Sequence, residues 1–219
     1  DSHEAFLAAL SEGCDVVTAN KKPLAVSNEK FAALMAATQG RILKAETTVG
    51  AGLPVVDTLE ILLATGDKIL RAEGCLSGTL GFVMSQLEAG IPLSQAVEVA
   101  MSKGYTEPDP VADLCGADVG RKALILGRLS GLAPDDRALR CEGLVDVALS
   151  GLPAHALLER LRQDYDGPLA ARVAAAKAEG KVLRYVASVS EGEIVVGPQA
   201  VAADSALGRL QGSDNMIVF

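Results

Sequence analysis

Residues 104–122 read "GYTEPDPVADLCGADVGRK". These nineteen positions hold six charged side chains, two prolines and three glycines, in a chain otherwise rich in Ala, Leu and Val. Asp118 and Lys122 are four apart, so a helix opening at Ala117 places them on one face. Glu107 and Asp113 come from the loop before it, and negative charge near a helix N-terminus is favourable by about 0.3–1 kcal/mol. On spacing alone two readings stay open. In the first, the acids cap a helix and Asp118–Lys122 is a surface ion pair. In the second, the acids surround a small cationic ligand and Lys122 shuttles a proton. A lysine among acids holds or releases a proton as chemistry demands. Tyr105, Pro108 and Pro110 stiffen the loop that presents Glu107.

Upstream, Ser2 caps a helix expected over 2–12, and Gly13 stops it. "CDVVTAN" (14–20) follows as a short apolar strand. This is the second half of an α/β unit, so the chain is expected to start inside a domain. A helix over 27–38, a strand over 41–47, a helix over 54–65 and a strand over 68–75 come next. "LSGTLG" reads as a tight turn into a helix over 82–88, and 92–103 is a helix capped by Gly104. Beyond the opening stretch, the helix 117–129 has Val119, Ala123, Ile125 and Leu126 as core contacts, and Gly131 to Pro134 end it. Helices over 156–162 and 169–179 precede a hairpin, 181–190 with 193–197, turning at "SEGE". "NMIVF" is a last strand. The order is α/β at the start and α+β in the middle.

Composition narrows the function classes. The 219 residues are 49% hydrophobic and 22% charged, the balance of a soluble globular protein. Aromatics are 3% and Trp is absent, so aliphatic side chains must build the core. A net charge of −8 argues against a nucleic-acid partner. No basic amphipathic run, no long apolar run and no signal peptide point to a membrane. Cys14, Cys75, Cys115 and Cys141 lie 26 or more residues apart without a CxxC pair. They read as small reduced hydrophobes of a cytoplasmic protein rather than zinc ligands or a disulfide framework. His3 and His155 read as structural or solvent-facing.

Two further stretches carry chemistry. In "TANKKP" (18–23) a strand ends and a loop presents Asn20, Lys21 and Lys22, where α/β proteins bind ligands; a surface loop with two lysines is the plain alternative. In "ETTVGAGLP" (46–54), Glu46 and a flexible Gly-Ala-Gly loop can turn carbonyls toward a hard cation; an ordinary strand-to-helix turn is the alternative. A dinucleotide fingerprint, GxGxxG, is absent: "GAGLPV" (50–55) fails at its third glycine.

These stretches occur together, and in this order, in one family. The chain resembles homoserine dehydrogenase through "VVTANKKPLA", "AETTVGAGLPVVDTL", "LSGTLGFV", "GYTEPDPVADLCGADVGRKALIL" and "LQGSDNMIVF", spanning 16–219. The resemblance implies an NAD- or NADP-dependent enzyme of threonine, methionine and isoleucine biosynthesis that interconverts L-homoserine and L-aspartate 4-semialdehyde. It implies a homodimer and three regions. Residues 1–43 are the C-terminal part of a Rossmann-type domain, 44–200 a mixed-sheet substrate, catalytic and dimerisation domain, and 201–219 a segment returning to the nucleotide-binding domain.

Carried over by position, Lys122 is the acid/base for the substrate hydroxyl and Lys21 lies near nicotinamide and substrate. Glu107 and Asp118 hold the substrate, with Asp113, Thr79 and Tyr105 beside it. Asn20 and Gly212 join Lys21 against the cofactor. Glu46 with the carbonyls of Val49, Ala51 and Leu53 matches a monovalent-cation (Na⁺) site. Gly81 stands where the family often has a polar residue, implying a more open pocket. Without the glycine fingerprint, these residues are expected to touch only the nicotinamide end of the cofactor. A cofactor-free lyase or isomerase and a non-catalytic dimerisation fragment are the rival functions.

Overall fold

The computed structural model describes residues 2–133 and 135–219. Helix α1 (Ser2–Ser11), strand β1 (Val16–Val17), α2 (Asn28–Ala37) and β2 (Leu43–Lys44) form the first unit. β1 and β2 run parallel, Val16 opposite Leu43. Both expected strands are there, but only two residues of each pair. Val17 is 83% exposed on the outer side of this ribbon.

Helix α3 (Val55–Ala64) leads to β3 (Arg71–Cys75), α4 (Gly78–Glu88) and α5 (Leu93–Ser102). α4 begins four residues earlier than expected, because the Ser77 side chain accepts the Leu80 amide and caps it. α5 buries Leu93, Ala96, Val97 and Ala100, the i, i+3, i+4, i+7 stripe of a core-facing helix. The expected loop at 104–116 contains a further turn of helix, α6 (Val111–Leu114). α7 (Ala117–Leu129) follows, with Gly131 beyond it in the left-handed region at φ 74°. Pro134, expected as part of that stop, lies outside the described residues.

β4 (Leu139–Cys141), unexpected from sequence, precedes α8 (Ala154–Asp164) and α9 (Asp166–Ala178). The hairpin β5 (Lys181–Ser190) and β6 (Glu193–Ala202) is longer than expected on its second arm, and β7 (Met216–Val218) closes the chain. The sheet order is β4-β6-β5-β3-β7; β4 pairs β6 in parallel and the other pairs are antiparallel. The segment 201–219 gives its last strand to this sheet, Cys75 opposite Met216.

One face of the sheet is the main core. Leu183, Tyr185, Ala187 and Val189 alternate along β5 toward α4, α7 and α9, joined by Ile194 and Val196. The opposite face carries a smaller cluster of Cys75, Val186 and Leu207, covered by the chain after β6. The first unit is tied to α7 by Arg128, which is 6% exposed. Its guanidinium donates to the carbonyls of Leu24 (2.6 Å) and Val26 (2.7 Å) and to Asn28 Oδ1 (3.0 Å), and stacks over Phe31. The four cysteines are free; Cys75 is buried, and burial pushes its thiol up to about 11. Cys14 and Cys141 are exposed rather than core residues. Among the described residues no helix is long and apolar enough to cross a membrane.

Gly116 decides how α7 enters the sheet. It holds φ 73°, and a Cβ there would overlap the Tyr185 hydroxyl. Gly116→Ala is expected to cost about 2–5 kcal/mol, from overpacking of about 1–3 kcal/mol and about 1–2 kcal/mol for the left-handed backbone. Denaturant titration checks this, and a loss below about 1 kcal/mol contradicts it.

Candidate active site

β3 ends at Cys75, and the next carbonyl, that of Leu76, accepts a hydrogen bond from Lys122 Nζ at 2.7 Å. One turn back on α7, Asp118 Oδ2 lies 3.0 Å from the same ammonium. The second oxygen, Oδ1, meets Lys21 Nζ at 3.3 Å and Arg121 Nη2 at 3.3 Å. A single carboxylate is thus shared by cations from the loop after β1 and from its own helix. The Lys122 side chain is 17% exposed, so its stem is packed while its tip reaches the site. An ammonium has three donors. Leu76 and Asp118 take two of them, which leaves one for a ligand.

Thr79, near the start of α4, donates from Oγ1 to the Tyr105 carbonyl at 2.5 Å. This fixes the 104–110 loop beside that helix end. The Tyr105 ring stands edge-on to Phe82 with centroids 5.2 Å apart. Ser77 already serves the Leu80 amide, and intrahelical bonding begins with the Gly81 amide on the Ser77 carbonyl. The amides of Gly78 and Thr79 therefore have no acceptor within the helix and suit an anionic group.

Gly212 approaches from the other side. A Cβ on Gly81 would be 3.1 Å from the Gly212 carbonyl, and one on Gly78 would be 3.5 Å from Ser213 Cβ. The expectation that Gly81 opens the pocket is corrected here, because the backbone of 212–214 fills that space. Gly212 itself has φ 56° and nothing within 4 Å of an added Cβ, so its backbone is open to an approaching ligand.

The acids of the opening stretch divide the work. Asp113 Oδ2 accepts the Glu107 amide at 2.8 Å, which shapes the loop. Asp109 is bonded to the Ser150 hydroxyl and to the amides of Gly151 and Val111. Glu107 is exposed, and among the described residues its carboxylate has no ion-pair partner. Burial drives the Asp113 carboxyl up, with the charges of Glu107 and Asp118 adding; the Glu107 amide and Lys122 offset only part. For Asp118, burial also opposes the charge. The ammonium groups of Lys122 and Lys21 outweigh it and hold that carboxyl below the usual range.

Of the other expected site residues, Asn20 is turned into its own loop. Its Oδ1 accepts the Lys22 amide at 3.0 Å and its Nδ2 donates to Ser2 Oγ at 3.1 Å. Glu46 caps α3, accepting the amides of Val56 (3.0 Å) and Asp57 (2.7 Å). The Leu53 carbonyl accepts the Val55 amide at 2.8 Å. Between them, Ala51 holds φ 50°, a strained value for a residue with a Cβ. Among the described residues no three His, Cys, Asp or Glu side chains gather to hold a metal. Sequence reasoning missed the Leu76 carbonyl, Ser77 and Arg121. Ser77 was findable as a helix-capping serine, but the glycines at 78 and 81 read as a turn.

Comparison with known proteins identifies a family. The family model described as homoserine dehydrogenase matches residues 54–219. A homoserine dehydrogenase of Paracoccidioides brasiliensis is 42% identical, over 99% of this chain and 62% of its own. A bifunctional aspartokinase/homoserine dehydrogenase of Haemophilus influenzae is 43% identical, over 98% of this chain and 26% of its own. The solved structure of a hyperthermophilic archaeal homoserine dehydrogenase in complex with NADPH superposes with a TM-score of 0.71 at 29% identity, over 99% of this chain and 57% of that one. The chain thus spans less than two thirds of the length of each.

The opposite shifts of Asp113 and Asp118 give opposite pH signatures. A depressed carboxyl contributes stability that is present above its unfolded value, near ~4, and is lost as pH falls through the folded value. A raised one contributes stability that is present below ~4 and is lost as pH rises through the folded value. Asp118→Asn should therefore melt lower than the parent at neutral pH and converge with it in acid. Asp113→Asn keeps an acceptor for the Glu107 amide, and should gain on the parent as pH rises above ~4. Thermal melts across this range decide it; parallel curves for both variants contradict the assignment.

Proposed function

The chain belongs to the homoserine dehydrogenase family, and we propose that it carries the site where L-homoserine and L-aspartate 4-semialdehyde are interconverted. The carrying observation is the Lys122 ammonium, held by Leu76 and Asp118 with one donor to spare. In the reductive direction, Lys122 presents that donor to the aldehyde oxygen and delivers the proton as the oxygen becomes a hydroxyl. In the oxidative direction the same nitrogen takes the proton back. A nicotinamide cofactor, when bound, supplies or accepts the hydride. Gly212 and Lys21 are the residues present here that would face it.

The substrate is an amino acid, so each of its charged ends needs a partner. Glu107 is the unpaired carboxylate and takes the ammonium. The free amides of Gly78 and Thr79 at the α4 N-terminus take the carboxylate. Asp118, expected to hold substrate, serves the reaction by fixing Lys21 and Lys122 at once. Asp113 and Tyr105 shape the loop that carries Glu107. The loop 46–53 suits a monovalent cation in its strained backbone, with the Glu46 oxygens and the Leu53 carbonyl shared with the amides they already accept. Assembly as a cytoplasmic homodimer, and service to threonine, methionine and isoleucine synthesis, complete the reading.

The test uses the full-length protein that contains this chain, with homoserine oxidation followed by NAD(P)H absorbance. Lys122→Ala is expected to lower kcat by about 10²–10⁴-fold with a far smaller change in KM. A variant with near-parental kcat overturns the assignment of Lys122.

Glu107→Gln is expected to raise KM for homoserine about tenfold or more at saturating cofactor, with KM for cofactor little changed, since an amide loses the charge that meets the substrate ammonium. Equal KM values reduce Glu107 to a loop residue.

A further inference from the structure

Arg184 stands in the middle of β5, on the face away from the main core, and is 4% exposed. A buried guanidinium is costly unless its donors are met. Glu88, the last residue of α4, lies 2.7 Å from Nη1, which also donates to the Leu183 carbonyl. Nη2 donates to the carbonyls of Gly208 (2.8 Å) and Leu210 (3.1 Å). Those two residues belong to the segment that crosses the sheet between β6 and β7, immediately before the Gln211–Asp214 turn. Gly208 is pressed so closely against the backbone of Ala202 and Ala203 that a side chain there would collide.

The same turn is held on its far side by α4. Gly81 admits the Gly212 carbonyl and Gly78 admits Ser213. The helix that meets Arg184 through Glu88 at its C-terminal end therefore carries Thr79 and the turn at its N-terminal end. Arg184, Gly81, Ser85, Gly212 and Asp214 line one small cavity of about 10 Å³, which is near the space of one water. Among the described residues, Arg184 Nε is a buried donor without an acceptor. A water there would extend the guanidinium's hold toward Ser85 and Asp214.

We propose that Arg184 is a positioning residue for the cofactor-facing turn Gln211–Asp214: by fixing the carbonyls of Gly208 and Leu210 it sets where Gly212 stands relative to Thr79 and Lys122. This rests on the reading of Gly212 as a nicotinamide contact. It implies a division of effects. Loss of Arg184 disturbs cofactor binding, while Lys122, Asp118 and Glu107, which depend on β3, α7 and the 104–110 loop, keep their places.

The experiment uses the full-length protein with Arg184→Met, Arg184→Lys and Glu88→Gln. NADPH affinity is read by fluorescence titration, and backbone mobility over 203–214 by hydrogen exchange without ligand. Homoserine KM is read at saturating cofactor. Arg184→Met should weaken NADPH by about tenfold or more, raise exchange over 203–214, and leave homoserine KM within about twofold. Arg184→Lys, which keeps a charge but loses the fork, should lie between it and the parent. Glu88→Gln, which leaves both carbonyl bonds, should show the smallest change; if Arg184→Met fails to fold, Arg184→Lys carries the test, and unchanged NADPH affinity in it overturns the proposal. Unchanged NADPH affinity in a folded Arg184→Met protein overturns the proposal. So does an equal loss for NADPH and homoserine without rescue by lysine, which marks Arg184 as merely structural. A parent that binds NADPH but does not oxidise homoserine overturns the dehydrogenase reading and leaves the Arg184 result standing on affinity and exchange.

Discussion

The Asp118 carboxylate is the constraint on which the site depends. It is shared between Lys21, from the loop after β1, and Lys122, from its own helix. Two ammonium groups at one carboxylate leave a local excess of positive charge, and Arg121 adds to it. That excess has to be oriented, not merely neutralised. Lys122 is oriented by the Leu76 carbonyl just past the end of β3, so that strand end, the first unit and α7 must be in register before the lysine is correctly placed. Arg128 performs the matching task at the other end of α7, where it ties the first unit down through backbone carbonyls. One helix is thereby fixed at both ends to the same neighbour.

The acid-rich stretch resolves into separate physical tasks. Asp109 joins its loop to residues 150–151, Asp113 bends the chain around the Glu107 amide, and Asp118 organises lysines. Only Glu107 is left to act outward. A run of acids that looks redundant in composition therefore supplies one free carboxylate, and the others build the frame that presents it. The raised carboxyl of Asp113 is the cost of burying it, with the charges of Glu107 and Asp118 adding.

Much of this was legible in the sequence, where local rules dominate. The four-residue spacing of Asp118 and Lys122, the stripe on α5 and the turn between β5 and β6 all follow from helical or strand period and turn chemistry. What escaped depends on partners far along the chain. Residues 14–20 and 41–47 carry the composition of strands, yet a ladder extends only as far as both neighbours remain in reach, here two residues. β4 is three residues whose pairing with β6 no local pattern announces. Arg184 falls within the expected hairpin strand, but the later crossing of 203–214 that makes it a buried clamp has no local signal. Glu46 suggested a cation ligand, and its nearest observed work is capping α3, because a carboxylate before a helix satisfies orphan amides at short range.

The pairing of β7 with β3 turns chain length into a measured quantity. Met216 lies opposite Cys75, one residue before the carbonyl that holds Lys122, and Gly212 is four residues before Met216. Gly74 has no Cβ because the Met216 carbonyl occupies its place, so the two strands cannot slide past one another freely. A single insertion between Gly212 and Met216 would displace the turn by about 3.3 Å, or else slip the ladder and send Ile217 to the wrong face. Side chains at 213 and 215 are exposed, whereas the number of residues there is held by the ladder. These few peptide units act as a ruler, and divergence among sequences sharing this fold should record substitutions in that interval and no changes of length.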